Sequence, residues 1–394
     1  MQKIELHKVC KIGNGFAFKS EDYLKAGIPL LRISNINNGV VNFKDDTICV
    51  AENYLETKKD FIVEKGDVVI ALSGATTGKY GIYISNEPAL LNQRIGIIKS
   101  NVSKKLDSKY FYFYLNILKD EILRKAGGAA QPNISTKEIG ILEIPLPNLP
   151  TQQKIATILD KADELRQYNK QLIEKYDALT QSLFLDMFGD PVNNEKGWEK
   201  KKLGDLGVFK NGLNYSKSAN GKKVKILGVG DFKDYWKISN YDNLSIIEIE
   251  SFPSKDFLLE DGDLIFVRSN GNKDLVGRCL IAYPNGEKVT YSGFCIRFRK
   301  NNSHLNEMYL VQLMRNKLFK KYIFKNGRGA NIQNINQELL SNIEIQLPPL
   351  NLQNQFAERV QLIEIQKQQA QEALAKSENL FQSLLQRAFK GELN

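Results

Sequence analysis

Few residues in this sequence have the type and spacing to do covalent chemistry. The stretch SGATTGKY (73–80) has the glycines and lysine of a phosphate loop. Only three residues separate Gly74 from Gly78-Lys79, however, and Tyr80 stands where a magnesium-binding Ser or Thr belongs. Gly228 and Gly230 lack the third glycine of a dinucleotide fingerprint. The two histidines, His7 and His304, lie near no nucleophile pattern, so a Ser–His or Cys–His system has no base. Cys10, Cys49, Cys279 and Cys295 form no C-x-x-C pair, which argues against structural zinc and for buried reduced thiols. Acidic pairs such as Asp45-Asp46 lie in polar stretches and read as solvated. No Asn-Pro-Pro-aromatic stretch of the amino-methyltransferase kind occurs. The chain reads as one that binds and does not catalyse.

The binding chemistry it offers is cationic. The formal net charge is +10 and the pI about 9.1. Excess Lys and Arg favour a polyanionic partner, because phosphate contacts release condensed counterions. Four loops, SNINNG (34–39), SGATTGKY (73–80), SNGNKDLVGR (269–278) and GRGANIQN (327–334), are rich in Ser, Asn, Gly, Lys and Arg. Such residues hydrogen-bond phosphates and base edges. They are also the ordinary residues of surface turns. Their recurrence at corresponding places is what shifts the reading toward function.

The correspondence comes from an internal repeat. LPNLPTQQKIA (146–156) returns as LPPLNLQNQFA (347–357), with Leu146 and Leu347 standing 201 positions apart (347 − 146). At the same offset Asn133-Ile134 matches Asn334-Ile335, Glu143-Ile144 matches Glu344-Ile345, Leu179 matches Leu380, and Phe188 matches Phe389. Upstream, GDVVIALSG (66–74) resembles GDLIFVRSN (262–270) more loosely. The ends of each half are alike and the middles have drifted. The period far exceeds that of a solenoid.

Proline fixes an extended approach to each junction, and Thr151 then reads as an N-cap. Without Gly or Pro as far as Met187, a seam at alternating spacings of four and three runs Ile158, Ala162, Leu165, Asn169, Leu172, Tyr176, Leu179, Leu183. The second copy gives Phe356, Val360, Ile363, Lys367, Ala370, Leu374, Ser377, Phe381, Leu384, Ala388. Each helix of about 36 residues spans roughly 54 Å. Burying both stripes predicts an antiparallel coiled-coil pair and a pseudo-two-fold molecule. The remainder reads as mixed strand and helix, with strands at 28–34, 67–73, 80–85 and 93–99 answered by 224–230, 263–269, 277–283 and 294–300. Single helices are expected over 108–126 and 306–325.

The expected class is therefore α+β: two similar mixed α/β domains (1–145 and 191–346) separated by two long helical segments (146–190 and 347–394). With 42% apolar residues, no apolar run near the ~20 a membrane helix needs and no signal-peptide core, a cytoplasmic protein is expected.

Two variable globular units alternating with two similar helices, each introduced by IPLPNLPTQQKIA or IQLPPLNLQNQFA, resemble the DNA-specificity subunit of a type I restriction–modification system. The GD-strand-S-G/N loops and the Gly-Ala-x-x-x-Asn-Ile segments (128–134, 329–335) agree with it. In the second junction Asn354-Gln355 stands opposite Gln153-Lys154. The resemblance implies a non-catalytic subunit whose two target-recognition domains each read half of a bipartite, asymmetric site on double-stranded DNA. The helices would set the gap and dock two methyltransferase subunits. Those partners would bind S-adenosylmethionine and methylate adenine N6, and a restriction subunit, where one is present, would use ATP and magnesium. No cofactor is expected in this chain. The runner-up is a protein-interaction scaffold for a methyltransferase that binds no DNA.

Candidate DNA-binding residues in the first half are Lys19, Ser20, Arg32, Asn35, Ser73, Thr76, Thr77, Lys79, Arg94 and Asn133. In the second half they are Lys210, Asn214, Lys217, Arg268, Asn270, Asn272, Lys273, Arg278, Arg328 and Asn334. Arg and Asn suit bidentate base contacts; Lys and Ser more often hold phosphate. Gln152, Lys154, Ile155, Gln353 and Phe356, taken as outward-facing, are candidates for docking a partner.

Overall fold

The computed structural model describes residues 2–393 except 38, 101–104, 128–131, 217–220, 233–235, 273–274 and 327–333, and omits the side chains of 324–326. The chain divides into two compact units. Unit 1 is Met1–Lys170 with Glu372–Asn394, and unit 2 is Gln171–Gln371. This differs from the serial order of domain and helix that the sequence suggested. Each unit takes the beginning of one long helix and the end of the other.

In unit 1, Val68–Ala71 lies between Ile95–Lys99 and Tyr80–Ile82, antiparallel to both. All four of its residues are buried, because both faces of the strand are covered. Val68 and Ile70, with Ile98, meet Tyr110, Phe111 and Leu115 of the helix Ser108–Lys125. Val69, Ile95 and Ile97 meet Leu31 and Leu91, which belong to a second sheet built on Ile28–Leu31 and Ala89–Leu91. The layers are helix, sheet, sheet. Unit 2 repeats them: Leu264, Phe266, Ile296 and Phe298 face Met308, Tyr309 and Leu310, while Ile265, Val267 and Cys295 face Leu227, Val289 and Tyr291.

The expected helix over 306–325 is broken in two, Glu307–Arg315 and Lys317–Asn326. Asn316 adopts an extended backbone, and its Oδ1 accepts from the N–H groups of Leu318 and Phe319 at 2.9 and 3.2 Å. An asparagine that caps a new helix ends the old one.

The long helices run Leu149–Phe188 (40 residues) and Leu350–Lys390 (41 residues), each about 60 Å long at 1.5 Å per residue. Asn148, not Thr151, caps the first: its Oδ1 accepts from the Thr151 N–H at 2.9 Å. Pro150 falls in the first turn, where no N–H is needed. Gly189 and Gly391, both at positive φ, follow the two ends. Among the described residues no helix is long and apolar enough to cross a membrane.

The helices pair antiparallel within each unit. In unit 1 Asn169 meets Ser377 and the Arg166 guanidinium stacks 4.2 Å over the Phe381 ring. In unit 2 Lys367 pairs with Asp177, and Phe184 meets Phe356. The second seam holds at Phe356, Val360, Ala370, Ser377, Phe381 and Ala388, all buried, and is displaced by one at Leu384, where Leu385 takes the inner position. The first is displaced by one residue at four places. Leu159, Arg166, Thr180 and Phe184 take the inner positions in place of Ile158, Leu165, Leu179 and Leu183. Favouring apolar letters missed this because the true seam includes Thr180 and the stem of Arg166, which can bury while its charge stays wet.

Candidate nucleic-acid interface

One backbone frame is built twice. In unit 1 the Gly15 N–H donates to Ile95 O, Phe16 N–H to Leu91 O, Leu72 N–H to Arg94 O and Ile134 N–H to Leu72 O, all within 2.8–3.0 Å. In unit 2 the same four bonds are Gly212 to Cys295, Leu213 to Tyr291, Arg268 to Phe294 and Ile335 to Arg268, again within 2.8–3.0 Å. Ser73 bridges Asn133, and Ser269 bridges Asn334. Gly15 and Gly212 are required by close approach. A Cβ on either would lie 2.0–2.1 Å from the carbonyl oxygen of Asn92 or Ser292. The repeated Asn-Gly and Asn-Ile pairs thus gather three loops at one edge of each main sheet. This places Ser73, Arg94 and Asn133 together in unit 1, and Asn214, Arg268 and Asn334 in unit 2.

Beside the unit 1 cluster lies a cleft of about 350 Å³ lined by Tyr23, Arg32, Ser34, Asn92, Gln93 and Arg94. The two exposed arginines, Arg32 and Arg94, share it. Guanidinium forks in a polar cleft suit phosphate or the acceptor edge of a purine.

The repeat that builds this frame also matches a known family. The chain matches the model of the type I restriction modification DNA specificity domain over residues 1–175 and again over 195–374. The protein belongs to the type I DNA specificity family. It is similar to the StySPI specificity subunit of Salmonella potsdam, at 26% identity over 95% of this chain and 84% of the relative. It is likewise similar to the EcoKI specificity subunit of Escherichia coli (strain K12), at 25% identity over 96% and 86%. It shares its fold with the type I S subunit from M. genitalium, with a TM-score of 0.56 at 17% identity over 98% of this chain and 96% of that one.

Not every candidate of this specificity protein reaches the loop cluster. Thr77 is buried, its hydroxyl donating toward Gly74 O and Pro132 O at 2.7 and 2.8 Å, so it holds the loop and faces no ligand. Asn35 builds a turn, its Oδ1 accepting from the Arg32 N–H at 2.9 Å. Asn270 does the same for the Asn272 N–H at 2.8 Å. Lys210 pairs with Asp256 at 3.0 Å and lies 4.3 Å over the Phe257 ring; this cation holds the Asp256 carboxyl below its ordinary pKa. Lys19, beside Ser20, pairs with Glu21 at the surface. Thr76 is exposed and Lys79 half-buried on the 73–80 loop, and Asn272 is exposed. Arg278 lines a separate cleft of about 580 Å³, with Arg315, Lys317, Lys320, Asp177 and Glu364. Lys217, Lys273 and Arg328 lie outside the described residues.

Four of the five docking candidates are corrected. Ile155 and Phe356 are core, and Gln152 and Gln353 are fully buried. Gln152 accepts from Asp107 N–H (2.9 Å) and donates to Lys105 O and Pro147 O. Gln353 accepts from Asn306 N–H (2.9 Å) and donates to His304 O and Pro348 O. Each amide clamps the start of a long helix to the N-cap of its unit's domain helix. Lys154 alone of the five is exposed.

The sequence reading missed Phe294, Gln93 and Tyr23. It paired 93–99 with 294–300, one residue out of the structural frame, in which Arg94 answers to Phe294. It also placed Leu179 inside, whereas Leu179 (48% exposed) and its repeat Leu380 (47%) both face outward.

Proposed function

We infer that this chain is the DNA-reading subunit of a type I restriction–modification complex, with each unit reading one half of a bipartite, asymmetric duplex site. The observation that carries the reading is the twice-built loop frame whose side chains differ: Leu72 and Arg94 in one unit, Arg268 and Phe294 in the other. Two readers of unlike half-sites need a common scaffold and unlike tips. The paired helices act as the spacer that fixes the gap. Two copies of a methyltransferase subunit dock on them, which accounts for an exposed leucine kept at the same place in each repeat. The chemistry belongs to those partners: S-adenosylmethionine-dependent methylation of adenine N6, with ATP and magnesium used by a restriction subunit where one joins.

The test is selection from a random duplex library at physiological salt, using this chain co-expressed with its genomically adjacent methyltransferase. A two-part consensus with a constant internal gap is expected. A soluble complex that enriches no sequence would overturn the reading and leave a docking scaffold. Deleting four residues around Leu172–Tyr176 should then alter the gap and leave both half-sites unchanged.

A further inference from the structure

The two units differ most sharply across one hydrogen bond of the shared frame. In unit 1 the donor residue is Leu72, buried, and the acceptor residue is Arg94, exposed. In unit 2 the donor is Arg268, half-buried, and the acceptor is Phe294, 63% exposed. Cation and apolar group have changed places on the same backbone positions.

Phe294 is not there to fill a core. Among the described residues it joins none of the apolar clusters. It sits on a pinned turn: the Cys295 N–H donates to Ser292 O at 2.8 Å, the Gly293 N–H to Leu213 O at 2.9 Å, and the Phe294 N–H to Ser292 Oγ at 3.3 Å. Its surroundings are polar. The Asn214 Oδ1 packs against Gly293, where a Cβ would lie 2.0 Å from it, and the Arg268 guanidinium reaches Gly293 O at 3.5 Å. An exposed ring on a pinned turn, next to a glycine that an amide and a guanidinium both approach, suits a surface that is polar apart from one apolar feature. A thymine in the major groove offers that feature in its C5 methyl group, beside the acceptors that asparagine and arginine read.

We propose that Phe294 is a specificity-determining residue that touches the C5 methyl of a thymine in the half-site read by unit 2. Arg94, at the matched position of unit 1, meets a guanine edge instead. This rests on the DNA-reading function inferred above.

The experiment uses the co-purified complex and the duplex selected from the library, with each thymine of both half-sites replaced in turn by deoxyuridine, which lacks only that methyl. One substitution, confined to one half-site, should weaken binding about fourfold, the worth of one buried methyl group. Phe294→Ala should bind the thymine duplex about as weakly and lose its sensitivity to that substitution. Phe294→Leu, which keeps an apolar contact, should retain it. If no thymine substitution matters, or if Phe294→Ala weakens all sequences alike, the proposal fails while the DNA-reading function stands. If the complex selects no sequence, both fail together.

Discussion

Gln152 accepts a hydrogen bond from the backbone N–H of Asp107 at 2.9 Å, tying the start of a 40-residue helix to the N-cap of another. Its own N–H groups satisfy Lys105 O and Pro147 O. Gln152→Ala removes the partner of all three backbone groups, so it should cost about 1–3 kcal/mol. Urea denaturation followed by a probe in unit 1 would measure it, and an unshifted midpoint would count against the clamp. Gln353→Ala should act in the same way on unit 2.

Inside the helix pair of unit 1, the Asn169 amide donates to the Ser377 hydroxyl at 3.3 Å, both residues buried. A double-mutant cycle of Asn169→Ala and Ser377→Ala should give a coupling of about 0.5–1.5 kcal/mol. Strictly additive losses would show that the bond contributes nothing. Asn169→Leu combined with Ser377→Ala should be close to neutral in stability, because both polar partners go together. Its expected effect is on register, which a buried polar pair in a coiled-coil seam helps to specify.

Leu179 and Leu380 are half-exposed copies of each other, one in each unit. Leu179→Glu and Leu380→Glu should leave folding within about 0.5 kcal/mol of the parent, as exposed substitutions do. Each should remove one methyltransferase copy from the complex, and the double variant both. Native mass spectrometry reads the stoichiometry directly. Two copies retained on the double variant would place docking elsewhere.

Burial pushes the thiols of Cys10, Cys279 and Cys295 from an ordinary 9.0 up to about 12. It pushes the phenols of Tyr114, Tyr283 and Tyr291 from 10.0 up to about 12. Between those limits the folded chain holds more protons than the unfolded one, so stability must fall as pH rises from about 9 toward 12. Well below the ordinary thiol value of 9.0 these groups contribute almost no pH dependence. Denaturation midpoints taken across this range should decline steadily, and the three thiols should resist alkylation at pH 8 until the chain is unfolded. Rapid alkylation of native protein would contradict their burial.

The sequence shows its frame more readily than its tips. The repeated Asn-Gly, Asn-Ile and Leu-Pro junctions were visible because close approach and buried amides admit few residue types. Asn92 and Ser292, whose carbonyls face Gly15 and Gly212, left no such signature, since any residue offers a carbonyl. Leu165 and Leu179 misled the seam because hydrophobicity alone cannot tell a leucine that packs inside from one that faces outward. Thr77 and Asn35 look like ligands in a string of polar letters and prove to be spent on their own loops. Phe294 was passed over for the opposite reason: an aromatic residue beside a strand reads as core until its exposure is seen.

The division of the long helices sets the order in which the protein can be completed at the ribosome. Unit 2 is one unbroken segment, whereas unit 1 waits for residues 372–394, which are translated after all of unit 2. Until then Tyr110 and Tyr114 lack Phe389, whose ring centre lies 5.0 and 4.8 Å from theirs, and Phe113 lacks Phe381. The half of the molecule that emerges first is therefore finished last, and a chain truncated after Gln371 would carry every residue of unit 2 and leave unit 1 open.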